Sequence, residues 1–152
     1  MKRLLIILPL IYQLQGCNSA KAESPELQME SEVIHEAEYN EFANITSKSV
    51  IVIRSQEEYE SELLKRTSEP VEAIDFASES IILIDMGMQT SGGHSLNFSF
   101  YEDSNDIQGE IVYSFPSGTC ATSTAITNPY KFIKLKSTKF ILVSEQQTYF
   151  EC

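Results

Sequence analysis

The chain has 152 residues, 22 acidic against 11 basic, and a formal net charge of −11. Such a chain repels phosphate backbones, which excludes nucleic acid as an expected partner. Its length and 42% hydrophobic content suit one domain with a core of its own.

The first residues read as an address. Lys2 and Arg3 are followed by an apolar run over residues 4–11, interrupted by Pro9. Leu14-Gln15-Gly16-Cys17 then resembles a bacterial lipobox, in which the cysteine thiol takes the lipid. The run is too short to span a bilayer. Residues 1–16 are therefore expected to be a lipoprotein signal peptide, with Cys17 the lipidated new amino end. A diacylglycerol and an amide-linked acyl chain together would hold the protein to a membrane. Asn18, rather than Asp, follows the cysteine. This points to an envelope protein anchored in the outer membrane, facing the periplasm or the surface.

Residues 17–32 read as a flexible acidic tether, with Pro25, small residues and scattered glutamates. The folded domain is expected over residues 33–152. Three cysteines are present. With Cys17 lipidated, Cys120 and Cys152 remain in an oxidising compartment, where a disulfide between them is favoured. It would close a loop of roughly 33 residues and contribute about 3–4 kcal/mol on the chain-entropy model. A free buried Cys120, or a Cys152 bonded to another protein, are the alternatives.

Residues 49–54 form a β-branched strand. A helix starts at Ser55, which has capping-box spacing to Glu58. Glu57 and Glu58 lie in its first turn and Lys65 and Arg66 in its last, matching the macrodipole. Tyr59 and Leu63 make its inward stripe with Leu64 beside them, and Pro70 helps close the segment. Residues 80–86 are an almost continuous apolar run, expected to be a central strand covered on both faces. Residues 95–101 alternate, with Leu96, Phe98 and Phe100 inward. A turn over residues 103–106 leads to a returning strand with Ile111, Tyr113 and Phe115 inward, and a second turn covers residues 116–118. Further strands are expected at residues 122–127, Tyr130–Leu135 and 140–143. The whole is a mainly β, β-rich α+β domain. Its sheet is antiparallel, sandwich-like or curled, with the helix packed at one side.

Several of these pieces occur together in one known family. Ile74-Asp75-Phe76 leads to the apolar strand and Met86-Gly87-Met88. Ser91-Gly92-Gly93-His94, Pro116-Ser117-Gly118-Thr119-Cys120 and Thr127-Asn128-Pro129-Tyr130 follow in order. Over residues 50–143 this resembles the C-terminal domain of PrcB-type proteins. That family is named for a lipoprotein subunit that accompanies and stabilises a surface protease of the subtilisin type. Where it usually has Tyr after the Gly-Gly pair, this chain has His94. The resemblance implies an exported protein partner, a protease among the candidates, and membrane contact through the lipid.

Partner-binding candidates are Ser91, Gly92, Gly93 and His94, on a glycine reversal that is either a plain hairpin turn or a contact loop on a rigid β scaffold. Lys131 and Lys134 join them, with Lys136 and Lys139 close by. These lysines read either as gatekeepers on an edge strand or as a basic strip facing an acidic partner. Pro129 is expected at a strand entrance and Tyr130 as a packed ring.

No catalytic residue, metal or cofactor is expected. There is no Gly-x-Ser-x-Gly elbow or phosphate-binding loop, and His35 and His94 have no ligand spacing to carboxylates. Asp75, Asp85 and Asp103 read as solvated or capping acids. Asn44-Ile45-Thr46 and Asn97-Phe98-Ser99 match a glycosylation triplet incidentally. The expected function is a non-enzymatic protein-binding accessory domain. The alternatives are a structural envelope lipoprotein without a dedicated partner, a small protease-inhibitor-like module using residues 91–94, and a hydrolase using His94.

Overall fold

The computed structural model describes residues 27–42 and 47–152. The signal peptide, Cys17 and the first part of the expected tether lie outside the described residues. Among the described residues the order is β1 (Leu27–Gln28), β2 (Ser31–Ala37), β3 (Ser49–Ile53), α1 (Gln56–Leu64), β4 (Ser80–Asp85), β5 (Ser95–Glu102), β6 (Asp106–Pro116), β7 (Tyr130–Leu135) and β8 (Phe140–Phe150).

These strands form two four-stranded sheets, ordered β1-β5-β6-β8 and β2-β7-β4-β3. The alternation of apolar side chains in the second sheet explains the layering. One face of β4 and β7 turns Ile82, Ile84, Ile133 and Leu135 toward Phe100, Ile107, Ile111 and Tyr113 of the first sheet. The other face turns Ile81, Leu83, Tyr130 and Phe132 toward Tyr59 and Leu63 of the helix, with Val71, Ile74 and Phe76 closing the edge. The molecule is thus sheet on sheet with the helix outside one sheet. Strand β4 has every residue buried because it faces core on both sides.

The helix begins as its cap spacing predicts, the Ser55 side chain accepting from the Glu58 N–H at 3.2 Å. Its far end differs. It stops at Leu64, Lys65 is the C-cap, and Leu64 faces solvent. Arg66 lies past the helix and turns inward, so it does not serve the macrodipole.

Three further expectations are corrected. Residues 27–28 and 31–32, read as the end of the tether, belong to strands. Leu27 and Gln28 pair with Glu102 and Tyr101, and Ser31 and Glu32 pair with Leu135 and Lys134. The glutamates that suggested a solvated linker sit opposite lysines on β7. Residues 122–127 are not a strand; only Thr127 forms a single bridge, to Gln89. Residues 121–126 are exposed, and apart from Ile126 the run is Ala, Thr and Ser, with no apolar face to bury. Finally, β8 continues from the expected 140–143 to Phe150 and runs parallel to β6 over its full length. This follows from the path: β7 lies in the other sheet, so the chain returns to β6 in the same direction.

The lysine-rich strand is interior, with β2 on one side and β4 on the other. The edge-gatekeeper reading of Lys131 and Lys134 therefore falls. Each lysine instead lies opposite a glutamate in the β2 register, Lys131 with Glu36 and Lys134 with Glu32, and forms an ion pair with it.

Candidate functional site

The glycine segment is not a hairpin tip. It links β4 in one sheet to β5 in the other, and it lies against the 122–127 segment. The Gly92 N–H donates to the Ser123 carbonyl at 3.2 Å. A Cβ on Gly92 would come 2.5 Å from Ser123 Oγ, and Gly93 has φ +86°. Close approach demands the first glycine and a left-handed backbone the second. Thr127 Oγ1 donates to the Ser91 carbonyl at 3.1 Å, closing the contact.

This arrangement fixes His94. Its Nε2 lies 3.2 Å from Ser91 Oγ, and its ring packs edge-on against Phe115 at 5.3 Å. Phe115 in turn lies 5.7 Å from the ring of Tyr149 on β8. His94 Nδ1 is buried with no hydrogen-bond partner among the described residues. A hydrolytic hydroxyl–imidazole pair needs an acceptor at that nitrogen to hold the ring's tautomer and orientation. Among the described residues, Ser91 and His94 have none.

His94 also lines a cleft of about 440 Å³ between the ends of the two sheets, with Ser95, Leu96, Pro129, Tyr130, Lys131, Ala37, Glu36 and Glu38. The structure therefore brings two of the sequence candidates, His94 and Lys131, to one place. Ser91 reaches it through its contact with His94. Gly92 is buried behind it. Lys134 is elsewhere, beside a depression of about 190 Å³ lined by Glu30, Ser31, Glu32 and Lys136. In the cleft Lys131 is neutralised by Glu36. Glu38, exposed at the rim, leaves the cleft acidic. Pro129 stands at the entrance to β7 and Tyr130 is a packed ring, both as expected.

At the same end of the sheet, Cys120 and Cys152 are joined, with sulfurs 2.04 Å and Cα atoms 5.1 Å apart. The Ser117 N–H donates to the Phe150 carbonyl at 2.9 Å, so the bridge and the backbone together tie the chain end to the 117–120 turn.

Two polar groupings escaped the sequence reading. His35, on β2, is buried between Glu69 and Tyr59: Nδ1 lies 2.6 Å from Glu69 Oε2 and Nε2 2.8 Å from the Tyr59 hydroxyl. Burial, with the charges of Glu72 and Glu69, pushes the Tyr59 hydroxyl up to about 12. The hydroxyl stays protonated and has no solvent access, so this chain braces the helix against β2. Second, Asp85 is neither solvated nor a surface cap; it is fully buried against Arg66. A carboxylate–imidazole–tyrosine chain across residues 35, 59 and 69 has no signature in local spacing. Asp85 at the end of an apolar strand was the one visible hint.

Among the described residues, no three or more His, Cys, Asp or Glu side chains come together to hold a metal ion. No described helix is long and apolar enough to cross a membrane. No family model, no curated protein and no solved structure matches the chain.

Proposed function

We propose that this protein is a lipid-anchored accessory domain of the cell envelope that binds another exported protein and steadies it, in the manner of the PrcB type. Anchoring would be through Cys17. The bound partner would present a loop to the cleft beside His94. The observation that carries this reading is the cleft itself. It lies at the open end of a disulfide-braced sandwich, its walls are apolar at Leu96, Pro129 and Tyr130, and its rim is acidic at Glu38. Concave, mostly apolar sites with a few placed polar groups suit recognition. The uncompensated Glu38 favours a basic side chain on the partner loop. Ser91 and Gly92 support the cleft wall instead of standing out, which argues against a protruding inhibitor loop.

A ligand of the folded partner alone would raise that partner's apparent stability by mass action. Deleting the gene should therefore shorten the lifetime of one exported protein, a protease being the expected candidate. Restoring the gene with Glu38→Lys and Ser95→Arg, which reverse the rim charge and fill the cleft, should fail to restore that lifetime. Equal lifetimes of all envelope proteins with and without the gene would overturn the proposal and leave a structural lipoprotein. Labelled palmitate incorporation, lost in Cys17→Ser, tests the anchor separately.

A further inference from the structure

The two sheets have four edges, and three of them are guarded. Strand β1 is two residues long. Strand β2 carries Glu32 and Glu36 and an irregular register between Val33 and His35. Strand β3 is five residues long and flanked by Lys48 and Arg54. Short length, charge and bulges are the usual means of blocking unwanted strand pairing. Strand β8 is neither short nor bulged, and of the charges flanking it, Lys139 and Glu151, Lys139 is held by Glu102 at 2.9 Å. The strand runs eleven residues at the end of its sheet, with no register shift against β6 and no proline or glycine. Its only formally charged residue is Glu145, already held by Lys48 Nζ at 2.5 Å and the Tyr113 hydroxyl at 2.7 Å. Phe140 and Tyr149 are 67% and 71% exposed, and Leu142 and Phe150 are also uncovered.

We infer that β8 is a dimerisation edge, pairing antiparallel with β8 of a second copy of this chain. The strand is complementary to itself. A two-fold axis at Glu145 sets Phe140 opposite Phe150, Ile141 opposite Tyr149, Leu142 opposite Thr148 and Ser144 opposite Gln146. Aromatic pairs and aromatic–β-branched pairs are the favourable cross-strand neighbours in antiparallel sheets. The axis brings the two Glu145 side chains together, and that repulsion is relieved because each carboxylate already accepts from Lys48 and Tyr113. The chain's net charge of −11 opposes association at most surfaces, so a neutral edge is where two copies can meet. The result is one continuous eight-stranded sheet across the dimer, an isologous contact that closes on itself.

The test is sedimentation of the full chain in density-matched detergent, with two thiol variants. The wild type should sediment at twice the mass of one mature chain. Leu142→Cys mixed with Thr148→Cys should give a heterodimer with a short thiol cross-linker, while each variant alone should give no more product than the wild type. Leu142→Lys with Thr148→Lys places lysine against lysine twice and should lose the dimer with the unfolding midpoint retained. A monomer at the highest soluble concentration would overturn the inference, as it would if residues before Leu27 or an unrelated protein covered the edge. So would a dimer that survives the lysine variant, or one without the 142–148 cross-link. None of these readouts depends on a cleft partner.

Discussion

Arg66 and Asp85 form an ion pair entirely inside the protein, Nε to Oδ2 at 2.8 Å, with side chains 2% and 0% exposed. Both ends have further partners. Arg66 Nη1 donates to the Glu62 carbonyl at 2.7 Å and to its carboxylate at 2.9 Å. Asp85 Oδ1 accepts from the Gly87 N–H at 2.8 Å. The pair thus pins the end of α1 to the end of β4, just before the crossover that carries His94. A buried pair need not add net stability, but stranding one member does cost.

Arg66→Met should therefore destabilise the protein by about 3–5 kcal/mol in urea unfolding. Burial pushes the Asp85 carboxyl above its ordinary 3.8, against the pull of Gly87 and Arg66. A raised carboxyl makes the native state hold a proton that the unfolded state has lost, so stability falls as pH rises through that interval. Removing Arg66 should raise the Asp85 value further and widen the interval. The variant should then gain stability on acidification from pH 7 toward 4, relative to the wild type. A parallel pH profile in both proteins would contradict this.

Reducing the Cys120–Cys152 bridge, or making Cys152→Ser, should cost about 3–4 kcal/mol. The separation of 32 residues sets that scale. Amide exchange should accelerate first in residues 147–150 of β8, where the bridge lies. A thiol count on the folded wild type should find neither cysteine reactive.

Tyr59→Phe should cost about 1–3 kcal/mol, because His35 Nε2 loses its partner in a buried place. Urea unfolding at neutral pH measures it. A change below a few tenths of a kcal/mol would show that the hydroxyl is not a structural partner.

Glu145 governs part of the acid response. Its burial works to raise the carboxyl, but hydrogen bonds from Lys48 and Tyr113 outweigh that and hold it below 4.5. A lowered carboxyl contributes stability that is present above its unfolded value and lost as pH falls through the folded one. Glu145→Gln should flatten the loss of stability below pH 4.5, with little change in slope above it. An unchanged acid slope would mean the Lys48 contact contributes nothing in solution.

The lysines of β7 show how sequence can mislead about position. Their spacing on a short strand suits an edge, yet the strand is central. Only the cross-strand register with β2 puts Glu32 and Glu36 opposite Lys134 and Lys131. The same glutamates hid β2 by making it look like linker. Both errors have one cause: a charge is read locally as solvated until its partner is known.

What the sequence determined by itself was local. Period-two alternation marked β5 and β6, an unbroken apolar run marked β4, and β7 emerged with its bounds intact. Ser55 and Glu58 set the helix start, and Cys120 and Cys152 their joining. These follow from neighbouring residues and from simple counting. The tertiary structure alone decided which strands share a sheet, that β8 runs parallel to β6, that Arg66 turns inward to Asp85, and that His94 and Lys131 line one cleft. Those outcomes depend on pairings between residues far apart in the chain, whose free energies no local pattern carries.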